Sequence, residues 1–213
     1  MALDRKSELS ENLARVKSTI PNDVHLIVVT KTFPVSDVKL LSELGVEEFG
    51  ENRDQEGKEK APLVKGKWHF QGQLQSNKLK SISSWADVVQ TIDSTRYVDL
   101  LSKAANKNLE VFIQVTLDGQ IHRGGALAED LSLIAEAILK TSNLKLQGLM
   151  AVAPLGEEPN SAFERLAQIH QKFKGQFPDA PYLSAGMSGD YIAAITHGAT
   201  HVRVGSSILG SRE

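Results

Sequence analysis

The sequence predicts a (β/α)8 barrel, the TIM-barrel class, with an amino-terminal helix completing the outer ring. Three observations carry this expectation. Eight strand-like runs alternate with helix-like runs along the whole chain, a pattern that builds parallel sheets, and eight is the number that closes a barrel. After the eighth run only Gly205 to Glu213 remain, too few for a final full helix, so the helix before strand one supplies the missing outer element. No GxGxxG follows any strand, which places an open flavodoxin-like or Rossmann sheet second.

The leading stretch, Met1 to Ser18, mixes Asp4, Arg5, Lys6, Glu8 and Glu11 with Leu9, Leu13 and Val16. It lacks the unbroken apolar core of a signal peptide. The strand candidates are 25–31, 46–50, 67–72, 87–92, 110–117, 145–152, 182–185 and 200–204. The first is β-branched and apolar until Lys31, and Pro34 stops it. Amphipathic stretches lie between them at Val35–Leu44, Ser94–Asn106, Ala128–Thr141 and Ala162–Gly175; the last carries Phe163, Leu166, Ile169, His170 and Phe173 at helical spacing. Gly45, Asn108 and Asn143 mark stops, while Asp93-Ser94 and Ser188 are expected to cap helix starts. No low-complexity linker divides residues 1–213, so one domain is expected.

Composition narrows the function. At 213 residues the chain can bury a substantial core. A net charge of −2 gives no general attraction to nucleic acid or to an anionic membrane. No window is apolar enough to span a bilayer. The absence of cysteine removes disulfides, thiolate nucleophiles and cysteine-ligated zinc, and fits a reducing, cytoplasmic setting. The histidines have no metal-ligand spacing, so no metal is assigned. Ser206 and Ser207 lack a nucleophile elbow.

The chemistry centres on Lys31. A lysine at the carboxyl end of a buried strand is costly unless paired, neutralised or covalently used. An amine of lowered pKa there suits a Schiff base to an aldehyde, although a surface lysine just past the strand is the commoner outcome for this residue type. Strand two ends in Gly50-Glu51-Asn52. Strands seven and eight run into Gly186-Met187-Ser188-Gly189-Asp190 and Gly205-Ser206-Ser207. Each turn alone is ordinary loop chemistry, but the pair falls where such barrels hold phosphate, and small residues with helix starts favour that contact. Arg203 alternates with Val202 and Val204 and is expected to point into the barrel beside Lys31, as a ligand contact or a structural ion pair. His69 and Gln71 are expected to line the interior, alternating with Trp68 and Phe70.

Taken together, Val29-Thr30-Lys31-Thr32, Phe49-Gly50-Glu51-Asn52, Trp68-His69-Phe70-Gln71-Gly72 running to Lys78, Phe112-Ile113-Gln114-Val115, Gly148-Leu149-Met150-Ala151, Leu183 to Asp190 and Arg203 to Gly210 carry a resemblance. The chain resembles, from end to end, the pyridoxal-phosphate homeostasis proteins, related to the amino-terminal barrel of alanine racemase. The resemblance implies that Lys31 forms an internal aldimine with pyridoxal 5′-phosphate (PLP). It also implies that Arg203 sits by the pyridine nitrogen, that Ser188, Gly205 and Ser206 hold the phosphate, and that Met187 and Asn52 lie near the ring. Members of the family are thought to buffer and deliver the cofactor to PLP-dependent apoenzymes without established turnover; a monomer is expected.

The chain departs from the family pattern at Phe33, where a second lysine is often found, at Asn52-Arg53 in place of Asn-Tyr, at Arg123, and at a tail ending Ser211-Arg212-Glu213. An arginine facing the pyridine nitrogen keeps it unprotonated, which weakens the ring as an electron sink. Racemisation also needs an acid/base on the opposite face, and Tyr97, Tyr182 and Tyr191 do not match that role. A non-catalytic carrier is therefore expected, ahead of a weak single-domain racemase and then a Schiff-base aldolase.

Overall fold

The computed structural model describes residues 4–120 and 124–210. Strands β1 His25–Val29, β2 Glu48–Glu51, β3 Lys67–Phe70, β4 Val88–Ile92, β5 Leu109–Gln114, β6 Leu144–Met150, β7 Tyr182–Met187 and β8 His201–Val204 close into a barrel. All neighbours run parallel, and β8 pairs with β1, Ile27 opposite Arg203. The helices are α1 Arg5–Lys17, α2 Val35–Glu43, α3 Asp54–Lys60, α4 Leu79–Trp85, α5 Thr95–Ala104, α6 Leu131–Leu139, α7 Pro159–Gln176, α8 Tyr191–Thr196 and α9 Ser206–Leu209. This is the expected (β/α)8 architecture.

Helix α1 completes the ring for identifiable reasons. The Asp4 carboxylate accepts from the Ser7 N–H at 3.0 Å and caps its start. Leu9, Leu13 and Val16 form its buried stripe, each contributing roughly 1.5–3 kcal/mol of apolar burial. Asn12 donates to the Ile208 carbonyl at 3.0 Å, and Arg5 donates to the Leu209 carbonyl at 3.0 Å and to Asp37 of α2 at 2.6 Å. The helix is thereby tied to both neighbours across the gap between β8 and β1.

Several boundaries differ from the sequence reading. Strand β1 stops at Val29: Thr30 still donates its N–H to the Gly50 carbonyl of β2, and the chain then turns at Thr32, whose φ is 70°. Strand β5 stops at Gln114, and Val115 forms an isolated bridge with Ala126 instead. Helix α7 begins three residues early at Pro159, with the Glu158 carboxylate accepting from the Ser161 N–H at 3.0 Å. Ser188 does not cap a helix: α8 starts at Tyr191, after Asp190, and the Ser188 hydroxyl is used elsewhere. Ser94 does stand at the cap position of α5, without a side-chain capping bond.

Val202 and Val204 are buried in the core beneath the helices, and Phe49 and Trp68 stack there at 5.1 Å. Among the described residues no helix is long and apolar enough to cross a membrane. Arg123 and the tail Ser211–Glu213 lie outside the described residues.

Candidate binding site

The turn that presents Lys31 is clamped from both sides. On one side, Thr30 is fully buried; its hydroxyl donates to Glu51 Oε1 at 2.5 Å, and its carbonyl accepts from Lys60 Nζ at 2.8 Å. On the other, Thr32 adopts a left-handed backbone with φ of 70°, a conformation costing a β-branched residue about 1–3 kcal/mol. The Thr32 N–H donates to Glu56 Oε2 at 2.5 Å. Lys60 Nζ joins the two halves, lying 2.7 Å from Glu51 Oε1 and 3.2 Å from Glu56 Oε2. The Glu51–Lys60 pair is buried. Burial pushes the Glu51 carboxyl up, and the hydrogen bonds from Lys60 and Thr30 oppose that rise. Sequence reasoning missed Lys60 and Glu56, because a Glu and a Lys four apart on a charged helix read as a solvated pair. Lys31 itself is half-buried and borders the cleft that opens above the turn.

Arg203 is buried inside the barrel, as its alternation with the valines predicts. Its Nη1 donates to Ser184 Oγ at 2.8 Å and its Nη2 to the Ala151 carbonyl at 2.8 Å. Both partners are neutral. Burial pushes the guanidinium down to about 10, with the charge of Asp190 opposing, so it stays protonated at neutral pH.

Behind Arg203 runs a file of interior polar groups. Ser184 Oγ donates to Gln90 Oε1 at 2.9 Å, and Gln90 Nε2 lies 2.9 Å from His69 Nδ1. His69 Nε2 lies 3.0 Å from Glu48 Oε2. Because Gln90 Nε2 can only donate, His69 Nδ1 accepts and its Nε2 carries the proton given to Glu48. Burial lowers the His69 pKa. The interior position of His69 matches its strand alternation; the roles of Gln90 and Ser184 were not foreseen.

The two small-residue turns meet. The Gly205 and Ser207 N–H groups donate to Ser188 Oγ at 3.2 and 3.4 Å, and Ser207 Oγ donates to the Ser188 carbonyl at 3.4 Å. Asp190 braces the first turn by accepting from the Met187 N–H at 2.6 Å. A Cβ on Gly205 would lie 3.0 Å from the Val29 carbonyl, so any larger residue there would press on β1.

These elements border one cleft of about 480 Å³. Its walls bring together Lys31, Asn52, Met187, Ser188, Arg203, Gly205 and Ser206, all of the sequence-predicted set, and add Gln71, Val29, Phe33, Met150 and Val152. Asn52 Oδ1 and Gln71 Nε2 are buried there without a hydrogen-bond partner among the described residues. Unpaired buried polar atoms are costly, so an acceptor and a donor stand ready for a polar ligand. The buried cation, the two hydroxyl-lined turns and the lysine at the rim fit a planar, phosphate-bearing aldehyde.

Fold and cleft together define a (β/α)8-barrel protein with a lysine-bearing, anion-compatible cleft at the carboxyl ends of its strands. The family model described as "Alanine racemase, N-terminal domain" matches residues 5–213. The chain is 39% identical over 216 residues to the "Pyridoxal phosphate homeostasis protein" of Corynebacterium glutamicum, covering 93% of this chain and 98% of that one. PipY of Synechococcus elongatus, solved with PLP bound, superposes with a TM-score of 0.87 at 30% identity, covering 95% of this chain and all of PipY. An alanine racemase from Clostridium difficile shares the fold at a TM-score of 0.78 and 18% identity, and the match spans 57% of that longer chain. The chain belongs to the pyridoxal phosphate homeostasis protein family, within the alanine racemase amino-terminal-domain class.

Proposed function

We propose that this barrel, acting as one domain over residues 1–213, binds PLP in the cleft and serves intracellular vitamin B6 homeostasis by holding and releasing the cofactor. In this reading Lys31 supplies the amine that captures the aldehyde, and Arg203 donates to the pyridine nitrogen. Ser188, Gly205 and Ser206 take the phosphate, while Met187 packs on the ring and Asn52 offers its unpaired oxygen. The observation that carries the reading is Arg203: a buried guanidinium whose hydrogen-bond partners are all neutral is expensive to keep, and a ring nitrogen lone pair is a fitting acceptor. PLP bound to PipY and the homeostasis naming of the relatives support it.

The role is that of a carrier rather than a catalyst. Bound PLP would supply an electron sink, and Arg203 weakens that sink by keeping the ring nitrogen unprotonated. Two-base chemistry would need a second proton-transfer group facing Lys31. The three tyrosines are committed elsewhere: Tyr97 donates to the Leu74 carbonyl at 2.8 Å, Tyr191 shares a 2.7 Å hydrogen bond with Thr19, and Tyr182 stacks edge-on against His201. We assign the chain to the cytoplasm, as a monomer, with PLP-dependent apoenzymes as recipients.

The test is to purify the chain, record its absorption spectrum, and incubate it with common amino acids in deuterium oxide. A yellow protein that leaves every α-hydrogen in place is the expected result. Exchange of one amino acid's α-hydrogen would replace the carrier with a weak racemase. A colourless protein that traps a carbonyl substrate on Lys31 would make it a Schiff-base aldolase.

A further inference from the structure

We propose that the amino-terminal end of the barrel carries a site for a divalent transition-metal ion of the zinc type, ligated by His25, Glu48 and His201. The three residues are far apart in sequence, and barrel closure brings them together. His25, Glu48 and His201 open β1, β2 and β8, and β1 pairs with both of its neighbours, His25 standing in register with His201. One ligand atom from each lies within 4.8 Å of the others. A tetrahedral ion with bonds near 2.0–2.2 Å sets its ligands roughly 3.4 Å apart, so side-chain adjustment alone closes the site.

The outer partners favour coordination. His201 Nδ1 lies 2.8 Å from Thr200 Oγ1, and that hydroxyl donates to the Leu183 carbonyl at 3.1 Å. With the hydroxyl proton on the Leu183 carbonyl, Thr200 accepts from His201 Nδ1–H, the tautomer that leaves Nε2 with the lone pair for a metal. Glu48 is held through Oε2 by His69, while its Oε1 lies 2.7 Å from His25 Nδ1. A cation replaces the proton shared by that carboxylate and imidazole. The His25 and His201 rings are stacked at 4.5 Å and 7°, so their lone pairs lie in parallel planes. Coordination requires one ring to turn, and His25 has room to do so, its side chain being half exposed. The nearest lysine on β3, Lys67, is paired with Glu110 at 2.5 Å. Two imidazoles and one carboxylate suit zinc-type ions rather than magnesium or calcium, and three protein ligands leave a fourth position open. None of the three residues borders the cofactor cleft.

The test uses tag-free, chelator-washed protein titrated with zinc and, separately, with cobalt(II) as a spectroscopic probe. One ion per chain and an intense tetrahedral-type cobalt spectrum are expected. His25→Gln, a change at a half-exposed position, should weaken zinc binding by at least about tenfold and abolish that spectrum. Glu48→Gln should do the same, and PLP absorbance should be retained in His25→Gln, since His25 lies outside the polar file that reaches Arg203. Several weak equivalents per chain, or zinc affinity unchanged in His25→Gln, would overturn the site. The PLP readout concerns the opposite end, so either claim can fail without the other.

Discussion

At the carboxyl end of the barrel Lys31 and Arg203 stand among glycines and serines, whereas at the amino end His25, His201 and Glu48 stand against one another. The first group is incomplete by itself: Arg203 spends its donors on neutral oxygens, and Asn52 and Gln71 hold unpaired polar atoms. The second holds an ionised carboxylate between imidazoles, since burial raises the Glu48 carboxyl but hydrogen bonds from His69 and His25 bring it down to about 2. The two ends are joined by the interior file from Glu48 through His69, Gln90 and Ser184 to Arg203. The contrast sets the charge of the ligand that each end suits: an anion-bearing one beside the buried guanidinium, a cation beside the ionised carboxylate. A buried cation with its own carboxylates, such as Lys60 with Glu51 and Glu56, braces a backbone; a buried cation without them waits for a partner.

The sharpest way to break this contrast is to remove the self-sufficient cation. Lys60→Met leaves Glu51 buried and unpaired, and should cost about 3–5 kcal/mol in urea unfolding. The double variant Lys60→Met/Glu51→Leu should recover part of that loss. A single-variant cost under about 1 kcal/mol would show that the Lys31 turn does not depend on the clamp.

Removing the cation that awaits a partner should act on PLP more than on the fold. Arg203→Ala should weaken PLP retention by roughly 10-fold to 100-fold, following the usual worth of a charge-assisted hydrogen bond. Spectral titration measures this, and unchanged affinity would assign Arg203 to the barrel alone.

Gln90→Leu sharpens the comparison further, since it cuts the file between the two ends without touching the cleft. It should lower PLP affinity a few-fold by releasing Ser184 and thereby Arg203, while Gln90→His, which keeps hydrogen-bonding nitrogens, restores most of it. A loss in stability with no change in PLP affinity would show that the file serves packing only.

The smallest effect lies away from both ends. Burial, reinforced by Lys174, holds the His170 imidazole below its ordinary range, and its Nε2 has no partner among the described residues. The folded protein thus keeps His170 neutral while the unfolded chain takes up a proton below about pH 6.5. The associated stability is present above that pH and is lost as pH falls toward the lowered folded value. His170→Leu should flatten the change in urea midpoint between pH 7.5 and pH 5. An unaltered slope would remove His170 from the account.

Much of this was legible in the sequence. Strand alternation put Arg203 inside and the valines outside, and the count of eight runs pointed to a closed barrel. The small-residue turns after β7 and β8 stood out for the same reason, because glycine and serine spacing is local. What stayed hidden depends on contacts distant along the chain. Lys60 and Glu56 look like surface residues until α3 brings them against the turn at Thr30 and Thr32. Gln90 and Ser184 carry no motif. The His25, Glu48 and His201 set has no metal-ligand spacing, since its members meet only through closure of β8 onto β1.

The most direct test of the central claim is borohydride reduction of the purified protein followed by peptide mass mapping. A PLP-derived mass is expected on the peptide containing Lys31, and a colourless, unlabelled protein from Lys31→Ala. Cofactor mass fixed on any other lysine, or retained colour in Lys31→Ala, would contradict it.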